Sequence, residues 1–134
     1  MTPAAVRAWL DRYVDAWRSG DPGAVADLFS SDATYRYHPF DEPYRGRAAI
    51  VRSWLEPEGA AGDFRDDPGT WEADYAVWAV DGDRAVAVGS SRFWTDADRT
   101  TGAGTWSNCF LLEFDADGRC RDYTEYSSRH PERD

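Results

Sequence analysis

A strand–turn–strand pattern in the middle of the chain places the strongest constraint on its fold. Residues 71–80 and 84–94 are rich in β-branched and aromatic side chains, and Asp81-Gly82 lies between them. Asp-Gly favours the positive backbone angles of a two-residue β-hairpin turn. The sequence therefore predicts two long antiparallel strands that pair with each other.

Two more strands are predicted to continue this hairpin as an antiparallel meander. A glycine-rich link at residues 101–104 precedes a largely apolar run at 105–114, and a turn at 115–118 precedes an alternating run at 119–128. A short earlier strand is expected at residues 34–38, immediately before Pro39.

Three helices are predicted in the first half of the chain. Thr2-Pro3 offers an N-cap and a first-turn proline to a helix that ends at Ser19-Gly20. Asp21-Pro22 begins a short second helix, and Gly46 opens a third. Residues 57–69 predict an exposed loop, either a lid or a plain surface excursion. The sum is an α+β fold in a single domain, residues 1–134, with a frayed polar tail at residues 129–134.

The charge of the chain narrows the classes of partner. The 15 basic and 25 acidic residues give a net charge of -10, which repels nucleic acids and anionic membranes. No apolar run approaches the roughly 20 residues of a membrane span, so a cytoplasmic protein is expected. His38 and His130, the only histidines, lie outside metal-ligand spacings, so no metal is expected. The acid–base chemistry considered below requires no cofactor, so none is expected either.

Alternation along the strands predicts which side chains face a pocket. For residues 84–94 the expected inward set is Val86, Val88, Ser90, Arg92 and Trp94. For residues 105–114 the expected inward set is Trp106, Asn108, Phe110, Leu112 and Phe114. For residues 119–128 alternation leaves both sets open, one containing Glu125 and the other Tyr126.

The order of elements and several short phrases resemble the nuclear transport factor 2-like superfamily, especially its SnoaL-like proteins and ketosteroid isomerases. The phrases are Arg12-Tyr-Val-Asp-Ala-Trp-Arg-Ser-Gly-Asp21, Phe29-Ser-Ser-Asp-Ala-Thr34, Glu42-Pro43, Gly46, Ala48-Ala-Ile50, Phe114-Asp-Ala-Asp-Gly-Arg119 and Thr124-Glu-Tyr126. The likeness covers nearly the whole chain. It implies a cone-shaped, curved antiparallel sheet wrapped around the long N-terminal helix, an α+β barrel of the cystatin-like type. It leaves the activity open, because this scaffold hosts isomerases, cyclases, epoxide hydrolases, dehydratases and binders.

The resemblance implies roles for several residues. Tyr13 matches the helix-one tyrosine that donates a hydrogen bond to the developing oxyanion in ketosteroid isomerases. Their carboxylate base falls on His38 when the chains are aligned on the following proline, or on Tyr37 without a gap. Phe110 replaces their second oxyanion donor, which counts against steroid isomerisation. Asn108, on the same face, offers an amide donor instead.

Glu125 and Tyr123 match pocket-facing apolar positions of the isomerases. The alignment therefore points Glu125 inward and makes its carboxylate a candidate base. Arg92 also matches a pocket-facing position, so it either pairs with Glu125 as a structural ion pair or shares a polar ligand with it. One inward arginine and one inward acid do not complete the Asp-Arg-Asp set of the epoxide hydrolases. The aromatic pocket walls are expected to include Trp17, Trp54, Trp94 and Trp106.

Three functions are compatible with these residues. The first is an isomerase, cyclase or dehydratase for a largely apolar substrate, in which His38 or Glu125 removes a proton while Tyr13 and Asn108 stabilise the oxyanion. The second is a ligand-binding module without turnover, in which Arg92 holds Glu125. The third is an interaction module, in which the outer sheet face joins two copies into a homodimer. The outward residues expected there are Thr105, Ser107, Cys109 and Leu111.

Overall fold

A computed structural model describes residues 1–56 and 67–131, which form three helices and six strands. The helices are α1 (Pro3–Ser19), α2 (Pro22–Ala26) and α3 (Arg47–Leu55). The strands are β1 (Phe29–Arg36), β2 (Tyr44–Arg45), β3 (Trp71–Asp81), β4 (Arg84–Trp94), β5 (Gly102–Phe114) and β6 (Cys120–Arg129). The predicted α+β class is confirmed.

Helix α1 begins and ends where the sequence predicts. Thr2 Oγ1 accepts the backbone N–H of Ala5, and Gly20 ends the helix at φ 64°, a conformation that favours glycine. Contacts of Trp9 with Phe114 and of Tyr13 with Phe110 join the helix to the sheet. The buried helix residues are Val6, Trp9, Leu10, Tyr13 and Ala16. No helix in the described ranges is both long and apolar enough to cross a membrane.

The six strands form one curved sheet in the order β2-β1-β6-β5-β4-β3. Strands β3 to β6 are the predicted antiparallel meander, but β1 runs parallel to β6. The sheet is therefore mixed rather than wholly antiparallel. It is also an open cone rather than a closed barrel, since β2 and β3 lie at its edges. The two-residue strand β2 is absent from the sequence prediction.

Several boundaries differ from the predicted ones. Strand β1 starts at Phe29 rather than at residue 34, and β5 already begins within the glycine-rich link at Gly102. The last strand extends to Arg129, and the backbone N–H of His130 donates to the carbonyl of Thr105, so the predicted frayed tail starts too early. Residues 57–66 of the predicted loop, and residues 132–134, lie outside the described residues.

The predicted inward face of β4 is wrong. Ala85 and Ala87 are buried, at 3% and 0% exposure, whereas the alternate residues Val86 and Val88 are half-buried on the outer side. Small side chains suit the inner face because large rings from neighbouring elements fill that space. A Cβ atom on the next inward residue, Gly89, would lie 2.7 Å from Cδ1 of Tyr75.

Candidate functional site

A band of polar side chains crosses the inner face of the sheet. Ser91 on β4, Asn108 on β5 and Glu125 on β6 belong to neighbouring strands and are linked by hydrogen bonds. Ser91 Oγ donates to Asn108 Oδ1 at 3.0 Å, and Asn108 Nδ2 donates to Glu125 Oε2 at 3.0 Å. We call these three residues the polar band. Ser91 and Asn108 are buried, so their mutual hydrogen bond fixes the amide that faces Glu125.

Two tyrosines extend the polar band to the central helix. Tyr123 hydroxyl donates to Glu125 Oε1 at 3.0 Å, and Tyr13 hydroxyl lies 3.0 Å from the hydroxyl of Tyr123. Because the proton of Tyr123 points to the carboxylate, Tyr13 is the donor in the second bond. A continuous hydrogen-bond chain therefore joins α1 to β4, and its members are Tyr13, Tyr123, Glu125, Asn108 and Ser91.

Burial shifts the pKa values of the titratable groups in this hydrogen-bond chain. It raises the pKa of Glu125 above the ordinary value of 4.5, although hydrogen bonds from Tyr123 and Asn108 and the nearby His38 charge oppose the shift. Burial also raises the pKa values of Tyr13, Tyr35 and Tyr123, so these hydroxyls stay protonated. The arrangement thus couples one titratable carboxyl group to hydroxyl donors, which is the composition of an acid–base site.

Aromatic rings lie on the buried side of the polar band and beside it near solvent. Tyr123 and Phe110 are fully buried beneath Glu125, with ring centroids 5.2 Å apart. Side-chain exposure rises along the inner face of β6, from the buried Tyr123 through the half-buried Glu125 to the exposed Ser127. The polar band therefore lies at the border between the packed interior and solvent. The aromatic rim beside it consists of Trp17, stacked on Trp71 at 3.6 Å, and Phe93, whose ring is 5.3 Å from that of Trp106.

Two further predicted pocket residues lie near the outer end of α3. The ring of Trp54 meets that of Tyr13 edge-on at 5.1 Å, and its indole N–H is buried with no hydrogen-bond partner among residues 1–56 and 67–131. Tyr37 hydroxyl lies 3.1 Å from Ser53 Oγ on the same helix. Trp54 is thus a spare donor beside the hydrogen-bond chain.

Arg92 and Trp94, predicted to line the pocket, lie on the other side of the sheet. Arg92 is exposed, and its guanidinium lies 4.9 Å from the ring centroid of Trp94, which Arg99 also covers at 4.3 Å. The cause is the reversed face of β4 described above. The predicted pairing of Arg92 with Glu125 is therefore wrong, and in the described part of the chain no arginine or lysine forms a salt bridge with Glu125.

His38 lies beside the site rather than in the hydrogen-bond chain. It is exposed and stacks against Phe40, with ring centroids 5.5 Å apart. Its charge still lowers the pKa of Glu125, so the two groups are within electrostatic reach. Of the two candidate bases, Glu125 is the one that the structure joins to Tyr123 and Asn108.

Two grooves of the described surface lie away from the hydrogen-bond chain. One groove, of about 540 Å³, crosses the outer sheet face beside Leu111 and Tyr126. The other, of about 390 Å³, lies between α1 and β3. Among the described residues no cluster of three or more histidine, cysteine or acidic side chains could hold a metal ion.

The structure adds residues that the sequence reasoning missed. Ser91 enters the site because Ala85, Ala87, Gly89 and Ser91 form the inward set of β4. Their small size was the available signal, since small residues facing inward leave room for rings such as Tyr75. Trp71, stacked on Trp17, and Phe93, packed against Trp106, are further missed residues.

Comparison with known proteins places this geometry in a family. The SnoaL-like domain model matches residues 10–123, most of the chain. The chain belongs to the SnoaL-like family. The match confirms the resemblance to the nuclear transport factor 2-like superfamily, which includes ligand-binding and isomerase-like proteins. No curated protein matches this SnoaL-like chain at a significant level.

Two solved structures share the fold of the SnoaL-like chain. A nuclear transport factor 2-like protein of unknown function from Burkholderia xenovorans is 18% identical, with a TM-score of 0.66, covering 98% of this chain and 88% of that one. A second nuclear transport factor 2-like protein of unknown function, from Mesorhizobium loti, is 22% identical, with a TM-score of 0.62, covering 94% and 93%. At these identities the likeness establishes the fold alone.

Proposed function

We propose that this SnoaL-like protein binds a small, largely apolar molecule in its cone and performs acid–base chemistry on it, as an isomerase, a cyclase or a dehydratase. The observation that carries the proposal is the hydrogen-bond chain through Tyr13, Tyr123, Glu125 and Asn108. It combines a proton acceptor with donors for an oxygen that gains negative charge, and the aromatic rim suits an apolar substrate.

Glu125 is the proposed base. Its raised pKa makes its carboxylate a stronger proton acceptor than an ordinary glutamate, because a buried carboxylate is relieved of desolvated charge when it binds a proton. Tyr123 and Asn108 each hold one of its oxygens, so the orientation of the carboxylate is set before a substrate enters.

The proposed oxyanion donors are the hydroxyls of Tyr123 and Tyr13, which continue the hydrogen-bond chain from Glu125. When Glu125 takes a proton from the substrate it becomes a weaker acceptor, which frees the Tyr123 hydroxyl to turn toward a substrate oxygen. Tyr13 then donates to Tyr123 or to the same oxygen. The indole N–H of Trp54, buried beside Tyr13 without a partner among the described residues, supplies another donor in place of the missing acid at Phe110.

Proton exchange provides the test. Wild-type protein is incubated in D₂O with a panel of cyclic and β,γ-unsaturated ketones, and deuterium uptake at the carbon next to the carbonyl is followed by NMR. We expect Glu125→Gln to lower the exchange rate at least about 100-fold, since a positioned base contributes that much. Arg92→Ala, on the outer face, should leave the rate unchanged.

Two results would count against the proposal. Equal exchange rates in wild type and in Glu125→Gln would remove Glu125 as the base. Exchange no faster than in buffer for every ketone would contradict turnover on this substrate class and favour a binding module without catalysis. Folding of each variant is checked by its amide NMR spectrum.

We also propose that two copies of the chain form a homodimer through the outer sheet face. Leu111 and Tyr126, on neighbouring strands of this face, are 43% and 47% exposed and border the outer groove. Exposed apolar side chains next to a groove are typical of a contact surface. Sedimentation of Leu111→Arg tests this proposal. We expect a dimer for wild type and a monomer for the variant, and a wild-type monomer at all concentrations would contradict it.

A further inference from the structure

The inner face of the cone carries a carboxylate that no cationic side chain neutralises. Glu125 receives hydrogen bonds from Tyr123 and Asn108, both neutral donors. Among residues 1–56 and 67–131 no arginine forms a salt bridge with Glu125, although several acidic residues outside the cone form salt bridges with arginines. His38, exposed at the edge of the site, forms no hydrogen bond with Glu125 among the described residues and acts on its pKa only from a distance.

The two oxygens of Glu125 retain capacity to bind a ligand. Each carboxylate oxygen has two lone pairs, and each receives one hydrogen bond from the protein, at 3.0 Å. A second donor can therefore reach either oxygen without displacing Tyr123 or Asn108. Because Glu125 is half-buried and Ser127 beyond it is exposed, that donor can arrive from the solvent side.

The surroundings favour a donor that is positively charged and attached to an apolar body. A buried carboxylate without a counter-charge is costly, and a cation that arrives with a ligand relieves that cost. Trp106 lies on the same face as Asn108, two residues away, with Phe93 packed against it at 5.3 Å and the Arg129 guanidinium 5.2 Å from its ring centroid. Such rings bind apolar groups and the alkyl carbons next to a cation. The net charge of -10 also attracts cations to the protein.

We infer that the ligand of this site is a protonated amine joined to an apolar, preferably aromatic, body, with its ammonium group on Glu125 and its body against the aromatic rim. This inference rests on the proposed function and names the class of molecule that the site takes. The ammonium N–H groups donate to the outward lone pairs of Glu125. The ring of Phe93 contacts the body, beside Trp106 and the Arg129 guanidinium that covers it.

A pair of matched probes tests the inference. The affinities of 2-(1-naphthyl)ethylamine and of 2-(1-naphthyl)ethanol are measured by isothermal titration calorimetry near neutral pH. The probes share the apolar body and differ in the charge of the end group. We expect wild type to bind the amine about ten- to hundredfold more tightly than the alcohol, as for a hydrogen bond to a charged group.

Two variants show whether Glu125 causes the preference. Glu125→Gln keeps the size of the side chain and removes its charge, so it should bind amine and alcohol with equal affinity. Asp122→Asn removes a carboxylate three residues away on the outer face and should retain the wild-type preference for the amine. Both variants are checked for folding by circular dichroism.

The outcomes separate this inference from the proposed function. If wild type binds the alcohol as tightly as the amine, the inferred ligand class is wrong, while the acid–base function stands. If neither probe binds, the inference is overturned, and ketone deuterium exchange judges the function independently. An amine preference that persists in Glu125→Gln would also overturn the inference, because the cation would then lie elsewhere.

Discussion

The two faces of strand β6 hold their carboxylates in different ways. Asp122, on the outer face, accepts a hydrogen bond from Thr34 and lies 3.8 Å from a guanidinium nitrogen of Arg36. Glu125, three residues later and on the inner face, is held by the neutral donors Tyr123 and Asn108. One carboxylate is thus partnered by a cation near water, and the other by neutral donors in a partly desolvated place.

This difference shows how the two faces of one strand can give two carboxylates different electrostatic environments. Near solvent an ion pair is screened and contributes little energy, so it can be formed or lost at small cost. In the interior, burial raises the pKa of Glu125, because the charged form has lost water that the hydrogen bonds replace only in part. A carboxyl group with such a raised pKa exchanges protons closer to neutral pH than an ordinary glutamate does.

The largest expected effect comes from removing a ring beneath the inner carboxylate. Phe110 is fully buried and packs on Tyr13, Tyr75 and Tyr123, so Phe110→Ala should lower the free energy of unfolding by about 3–5 kcal/mol. The adjacent outward residue provides the control, because Leu111→Ala should cost about 1 kcal/mol or less in monomeric protein. Urea denaturation measures both. Equal costs would contradict the assignment of faces.

A smaller effect is expected when the polar band is cut. Asn108→Ala leaves the Ser91 hydroxyl and one Glu125 oxygen without their partners, and we expect a loss of about 1–3 kcal/mol. Ser107→Ala, on the exposed side of the same strand, should change stability by about 0.5 kcal/mol or less. Thermal unfolding distinguishes these variants. A harmless Asn108→Ala would show that the band contributes no stability.

Neutralising the two carboxylates of β6 should change stability in opposite directions at neutral pH. The pKa of Glu125 is higher in the folded than in the unfolded chain, so its contribution is most favourable below pH 4.5 and declines as pH rises toward the folded pKa. Glu125→Gln lacks this decline and should gain stability relative to wild type between pH 4.5 and neutrality. Asp122→Asn should instead lose up to about 1 kcal/mol.

Urea midpoints of the three proteins, measured near pH 4.5 and near pH 7, test this prediction. The difference between Glu125→Gln and wild type should widen toward pH 7. A difference that stays constant, or that favours wild type more at the higher pH, would show that Glu125 is not held in a desolvated place.

The smallest effect is expected at Arg92. Its cation–π contact with Trp94 is worth about 0.5–1 kcal/mol at an exposed site, so Arg92→Ala should cost no more than that. The same substitution should leave the titration of Glu125 unchanged, because the two side chains lie on opposite faces of the sheet. A shift of the Glu125 pKa toward higher values in Arg92→Ala would show that Arg92 pairs with Glu125, which would contradict the structure.

Local signals predicted most of the fold. The Thr2-Pro3 cap and the turn before Cys120 each specify a boundary through neighbouring residues, and each lies where the sequence places it. The β3–β4 turn lies one residue later than predicted, at Gly82-Asp83, because Asp81 still pairs with Arg84. The parallel pairing of β1 with β6 has no such signal. The two strands are far apart in sequence and no turn joins them, so their contact depends on the packing of the whole sheet.

The candidate site was predictable where alternation on β5 and the alignment with the isomerases on β6 assigned the inward face correctly. Tyr13, Asn108 and Glu125 converge as the alignment with the isomerases implies, because the inward sets of β5 and β6 were assigned correctly. On β4 the larger residues Val86 and Val88 suggested the wrong face. Hydrophobicity alone fails there, since the inner face needs small residues next to the rings that occupy the cone.

The most direct test of the account is a titration of the Glu125 side-chain carboxyl carbon by ¹³C NMR. The account predicts a midpoint above the ordinary value of 4.5 in wild type, and the same midpoint in Arg92→Ala. A midpoint at or below 4.5 would show that Glu125 is solvated or paired with a cation, and would contradict its proposed role as the base of the site.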